Sequence, residues 1–255
     1  MAAKISSADA SSQRVGDALA PPRTERIIFE SISGSSQSLK CHLACQALRL
    51  RGGVDVLVKE KTFLELCTTR QRLSPFASSV TPCLTLLRAA SGSDGDGEPE
   101  REPMRVFHES VCFQTICRLA QLDGGGDSPA TVLAVADAVA AAEYVLTDVR
   151  SQPFYHHASD AAEGAAAAAQ WVHADGVLHL AAFCRLLDKG AGSVPRAYVV
   201  GAALTAADIA VFVLVLQLQR LTPLVPAAFP LLAAWFARIQ VICSHTRVRI
   251  FLAYC

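Results

Sequence analysis

What this sequence lacks narrows it first. It has no excess of either charge: 23 basic and 23 acidic residues cancel, and no block of Lys and Arg gathers anywhere. A chain of that kind has no general pull toward nucleic acid or an anionic membrane. Long apolar runs are also missing. The longest, Ile209–Leu216, is about eight residues, where a bilayer span needs about twenty. The N-terminal stretch lacks the apolar core of a signal peptide. The cysteines, 9 in all, form no C-x-x-C pair and no regular framework. They read as reduced, mostly buried thiols of a cytoplasmic protein rather than as disulfide staples. Cys41 and Cys45 share a helix face, but nothing nearby completes a ligand set, and His156 and His157 sit in a polar stretch. No metal site is expected.

What is present is a chain of 255 residues, 52% hydrophobic and 18% charged. That is enough apolar material for one large domain or two modest ones. Residues 1–25 mix Ser, Ala, Asp and Arg without periodicity and read as a disordered tail. Arg26–Glu30 is a short strand, followed by a Ser/Gly turn. Leu39, His42, Leu43, Ala47 and Leu48 then recur at helical spacing up to Gly52-Gly53. Val54–Val58 reads as a second strand, Val80–Leu87 as a third entered through Pro82, and Met104–Phe107 as a fourth. Between the last two, residues 91–103 are acidic and rich in Gly and Pro, a solvated insertion. Glu109-Ser110 opens a helix to about Leu122. Asp123–Asp127 is a linker, and beyond it helices are expected over Pro129–Arg150, Ala158–Lys189, Ala206–Leu221 and Leu231–His245. Two domains follow: α/β over 26–122 and all-α over 129–255.

The order, with Glu109-Ser110 after the fourth strand and an all-helical second half, resembles the cytosolic glutathione transferase superfamily over about residues 26–252. In detail it is similar to the sigma-like, tyrosine-type members. Their Gly-x-x-Glu-x-x-Arg resembles Gly34-Ser35-Ser36-Gln37-Ser38-Leu39-Lys40, with Gln37 for Glu and Lys40 for Arg. Their Pro-Phe-Gly resembles Pro75-Phe76-Ala77, and their helix opening resembles Glu109-Ser110-Val111-Cys112-Phe113. In the second half, Gly201 through Thr205 to Asp208 resembles G-x-x-x-T-x-A-D, and Phe229-Pro230-Leu231-Leu232-Ala233-Ala234-Trp235 resembles the aromatic-Pro-x-Leu-x-x-Trp that follows. The fold this implies is a thioredoxin-like domain followed by an all-helical transferase domain.

A glutathione site needs donors for a carboxylate, and a helix N-terminus supplies them. Ser110 is placed to donate to an α-carboxylate and Glu109 to pair with an α-ammonium; the plain alternative is an ordinary helix cap. The resemblance implies a cis Pro82 that turns the Thr81 backbone toward the cysteinyl moiety. It also implies Arg70 and Arg72 near the glycyl carboxylate, and Asp137 reaching a ligand across a homodimer. Phe29 falls at the catalytic tyrosine and has no hydroxyl to donate to the thiol, a bond worth about 1.5–3 kcal/mol. Among Ser31, Ser33, Ser35 and Ser36, Ser33 or Ser35 is the expected replacement, on the pattern of serine-type members. Thr205 and Asp208 spell a helix capping box rather than a catalytic acid.

The implied function is conjugation of glutathione to an apolar electrophile, or an isomerisation, in glutathione metabolism and detoxification. Glutathione is the co-substrate, with no other cofactor. The alternative is a non-catalytic transferase-like interaction module of a translation or tRNA-synthetase complex, for which the loss of the hydroxyl at Phe29 argues.

Overall fold

The computed structural model describes residues 24–32, 38–62, 64–65, 82–88, 103–126, 128–156, 161–188, 193–222 and 228–245. The first half is a mixed four-stranded sheet in the order β2-β1-β3-β4. Strand β1 (Thr24–Ile32) begins two residues inside the stretch expected to be tail, because Thr24 pairs with Arg88 across a register shift. Its alternate residues Ile27, Phe29 and Ser31 are wholly buried, the period of two that a pleated strand imposes.

Helix α1 (Leu39–Arg51) stops where Gly52 takes φ +73°, a left-handed conformation that glycine adopts without a Cβ clash. Strand β2 (Asp55–Lys61) then lies parallel to β1, with Val58 opposite Phe29. Strand β3 (Cys83–Arg88) pairs antiparallel on the other side of β1. Strand β4 (Met104–Phe107) pairs antiparallel with β3. Helix α2 (Glu109–Leu119) packs on α1, and Leu48, Leu84, Phe113 and Ile116 fill the space between them and the sheet.

The second half is helical. Helix α3 (Pro129–Ser151) opens with Pro129 in its first turn and with Ser128 accepting the Thr131 N–H at 3.2 Å, a start the sequence signals plainly. By length and composition α3 could cross a membrane. Its buried stripe, including Val135, Ala142, Leu146 and Val149, instead packs against helix α7. Where the sequence predicts one helix over Ala158–Lys189, the structure has α4 (Pro153–His156), then α5 (Ala161–Trp171), a π-helical segment (Val172–Gly176) and α6 (Val177–Leu187). The wide turn has a local cause. Trp171 lies against Gly176 so closely that a Cβ there would come within 2.7 Å of its Cζ3, and its Nε1 donates to Asp148 Oδ2 on α3 at 3.1 Å.

Helix α7 (Ala206–Leu221) is buried on every side from Ala206 to Leu218, the mark of a core helix. Its start is held by Asp208. Oδ1 accepts from Val199 N at 2.8 Å and Trp235 Nε1 at 3.1 Å, while Oδ2 accepts from Thr205 N at 3.0 Å and Thr205 Oγ1 at 3.2 Å. The capping box is therefore structural. Helix α8 (Pro230–His245) carries Trp235 and packs on α6 and α7. The halves meet where α1 packs on α7 and where Ala206 N donates to Leu122 O at 2.8 Å.

Candidate functional site

The turn from β4 into α2 is built on one strained residue. His108 sits at φ 84°, ψ 127°, a conformation that costs a non-glycine residue on the order of 1–3 kcal/mol. The strain turns the chain sharply, so that Glu109 and Ser110 open α2 at the edge of the sheet. The Cys112 thiol, one turn in, donates to Val106 O at 3.4 Å and to Pro82 O at 3.6 Å. The start of β3 and the start of α2 are thereby pinned together. Cys41 on α1 donates to Glu109 O at 3.6 Å. Pro82, Glu109 and Ser110 thus lie near one another.

That place already holds charges. The Lys40 ammonium, on α1 and only 5% exposed, lies 3.4 Å from Glu109 Oε1 and bonds closely to Glu143 on α3. It also sits 5.4 Å over the Phe113 ring. Ser110 Oγ donates to Glu143 Oε2 at 3.1 Å, and Arg150 Nη1 approaches Glu109 Oε2 at 3.9 Å. Burial pushes the Glu109 carboxyl up, against the pull of Lys40 and then Arg150, with Glu143 adding to the rise.

Phe29 pairs with Leu84, two residues after Pro82. It is wholly buried and edge-on to His42, with ring centroids 5.2 Å apart. Ser31, on the same face of β1, is equally buried, and its hydroxyl bonds His42 Nε2 at 2.8 Å. Burial lowers His42 to about 4, aided by Arg49 and opposed by Glu60. Ser33, Ser35, Arg70, Arg72 and Thr81 lie outside the described residues, and so does the Thr81–Pro82 bond.

Asp137 is not brought to Glu109. At about 100° per residue, Asp137, Ala141 and Val145 form one stripe of α3, while Glu143 and Arg150 form another on the opposite side. Asp137 instead lines a cleft of about 330 Å³ between α3 and α6, with Ala141, Val145, His179, Phe183 and Leu186. Exposed Tyr144 packs edge-on to His179 there, with centroids 5.8 Å apart.

Glu143, Arg150 and His108 escaped the sequence reading. The pair had a signal: two opposite charges two turns apart on an otherwise Ala/Val-rich helix mark a stripe facing something polar. His108 had none, because a positive φ at a non-glycine residue leaves no mark in composition.

Residues 179–240 match the family model described as glutathione S-transferase, C-terminal domain. No curated protein matches the chain. Among solved structures, it is similar to the Fasciola hepatica sigma class GST, with TM-score 0.59 and 13% identity over 84% of this chain and 89% of that one. It is similar also to rat hPGDS complexed with a quinoline, with TM-score 0.59 and 11% identity over 90% of this chain and 95% of that one. At such identities the likeness is one of fold.

Proposed function

With the cytosolic glutathione transferase fold in place and its C-terminal domain matched in residues 179–240, we propose that the chain binds glutathione and conjugates its thiol to an apolar electrophile. The observation that carries this reading is the strained His108 turn. Backbone strain persists where surrounding structure over-determines it, and it clusters at ligand clamps. Here it presents a carboxylate and a hydroxyl together at a helix N-terminus beside Pro82, the pattern that an α-amino-acid end requires. In this reading Ser110 donates to the α-carboxylate of the γ-glutamyl residue and Glu109 takes its α-ammonium. The backbone before Pro82 meets the cysteinyl moiety, and Arg70 and Arg72 meet the glycyl end. A second copy brings its Asp137 face to the assembly, giving a cytoplasmic homodimer with a role in detoxification.

Thiol activation is the open chemical step. Phe29 offers no hydroxyl, and Ser31 spends its own on His42, which leaves Ser33 or Ser35 as the proposed donor. The wholly buried Phe29 also favours a second reading, a transferase-fold module that does no conjugation. Calorimetry with glutathione, followed by conjugation to an aryl halide, tests both. Binding that Ser110→Ala weakens by about 1.5–3 kcal/mol, together with turnover, supports the first. Binding without turnover in any of a panel of electrophiles supports the second. Unchanged affinity in Ser110→Ala reduces the turn to a helix cap.

A further inference from the structure

Two charged side chains stand where a ligand's own charges are expected. The oxygen that would receive a ligand α-ammonium, Glu109 Oε1, has the Lys40 ammonium 3.4 Å away. The hydroxyl that would meet a ligand α-carboxylate, Ser110 Oγ, donates to the Glu143 carboxylate. Lys40 and Glu143 are bonded to one another, so an ammonium and a carboxylate lie together as they do in the α-amino-acid end of a peptide. One comes from α1 in the sheet domain and the other from α3 in the helical domain.

The cluster is short of one thing. Lys40 has two carboxylates and a ring face, but Arg150 has a single carboxylate oxygen at 3.9 Å, and its Nε and Nη2 are buried without a hydrogen-bond partner among the described residues. Buried donors left unpaired are uncommon, and each calls for an explanation such as a water or an ion. Among Lys40, Arg150, Glu109, Glu143 and Ser110 the buried polar atoms left without a partner among the described residues are both Arg150 donors. What would complete the set is one more carboxylate.

We propose that the Lys40–Glu143 pair is an internal stand-in for the zwitterionic end of the ligand, a proposal that rests on the γ-glutamyl reading of the site. In the free protein the pair fills the subsite. The ligand enters by displacing Glu143, the more exposed partner at 26% against 5% for Lys40. Its α-carboxylate then takes the Ser110 hydroxyl and the vacant edge of Arg150. The ligand class is thereby restricted to thiols carrying a free α-amino-acid end. An uncharged or decarboxylated thiol cannot exchange for the pair.

The experiment is calorimetric titration of the full chain with glutathione and with 4-aminobutyryl-cysteinylglycine, which lacks the α-carboxylate. Wild type, Glu143→Gln and Glu143→Ala are compared, each first shown by thermal melting to be folded. Lys40 keeps Glu109 in both variants, and Arg150 of α3 still approaches Glu109 from the helical half. The expected result is glutathione binding tighter by about tenfold, equivalent to about 1.4 kcal/mol, in both variants. The truncated peptide should show no such gain, and Ser110→Ala added to Glu143→Gln should erase it. If wild type binds glutathione and neither variant binds it more tightly, the stand-in is refuted while the γ-glutamyl site survives. If no folded protein of the set binds glutathione, the γ-glutamyl reading itself falls and the stand-in with it.

Discussion

Acid should weaken this protein through the His42 imidazole. His42 lies between α1 and β1 with its Nε2 bonded to Ser31, and burial, aided by Arg49 against Glu60, lowers it from 6.5 to about 4. The unfolded chain therefore takes up the proton first as pH falls. The stabilisation from a neutral, buried His42 is complete above about 6.5 and is lost as pH drops through 4. At 1.36 kcal/mol for each pH unit between the two values, the loss is about 3 kcal/mol. That is a large part of the roughly 5–15 kcal/mol that holds a domain together. The assay is urea denaturation followed by circular dichroism from about pH 7.5 to about pH 4, on wild type and on His42→Gln, whose amide preserves a partner for Ser31. Carboxylate effects are common to both proteins and cancel in the comparison. Wild type should lose about 3 kcal/mol more than the variant across this range. Parallel stability curves would refute the reasoning.

Asp208→Ala leaves the Val199 and Thr205 amides and the Trp235 indole N–H without their buried acceptor. The expected cost is about 3–9 kcal/mol in chemical denaturation, at roughly 1–3 for each of the three stranded donors. Gly176→Ala drives a methyl into Trp171 and should lower stability by about 1–3 kcal/mol; a neutral melt would show that the indole can step aside. Burial raises the thiols of Cys41 and Cys117 well above their ordinary value and pushes Cys45 up to about 12. All three should escape alkylation by iodoacetamide in the native protein and react once it is denatured, as read by peptide mass spectrometry.

The legible parts of the fold were those fixed by local chemistry. Gly52 ends α1 because it can take φ +73°, Ser128-Pro129 begins α3, and Thr205 with Asp208 begins α7; each is written within four residues. The site was legible only on one side. Glu109 and Ser110 could be read from the strand before them, but their partner Glu143 comes from another domain, and no spacing rule reaches that far. Asp137 illustrates the converse. Its helix was foreseen, yet its cleft faces away from the ion cluster, a matter of which stripe of α3 meets α7. The π-helical turn was invisible for a similar reason, since it arises from Trp171 seating on Gly176 and fastening to Asp148 rather than from any residue's helix preference.

The place of β1 in the sheet has a consequence for how the protein comes into being. Made before either of its sheet neighbours, β1 is a centre without flanks. Phe29 must wait for Val58 on one side and then for Leu84 on the other. Until both arrive, an alternating apolar strand offers two bare edges to any passing chain, the situation in which nascent proteins aggregate. The helical half waits as well, because α3 packs on α7 across the intervening α4, α5 and α6, and contacts of such separation close slowly. Crowded expression at high temperature would therefore lose protein through β1, and a chaperone that sheltered the strand until β3 is made would reduce that loss.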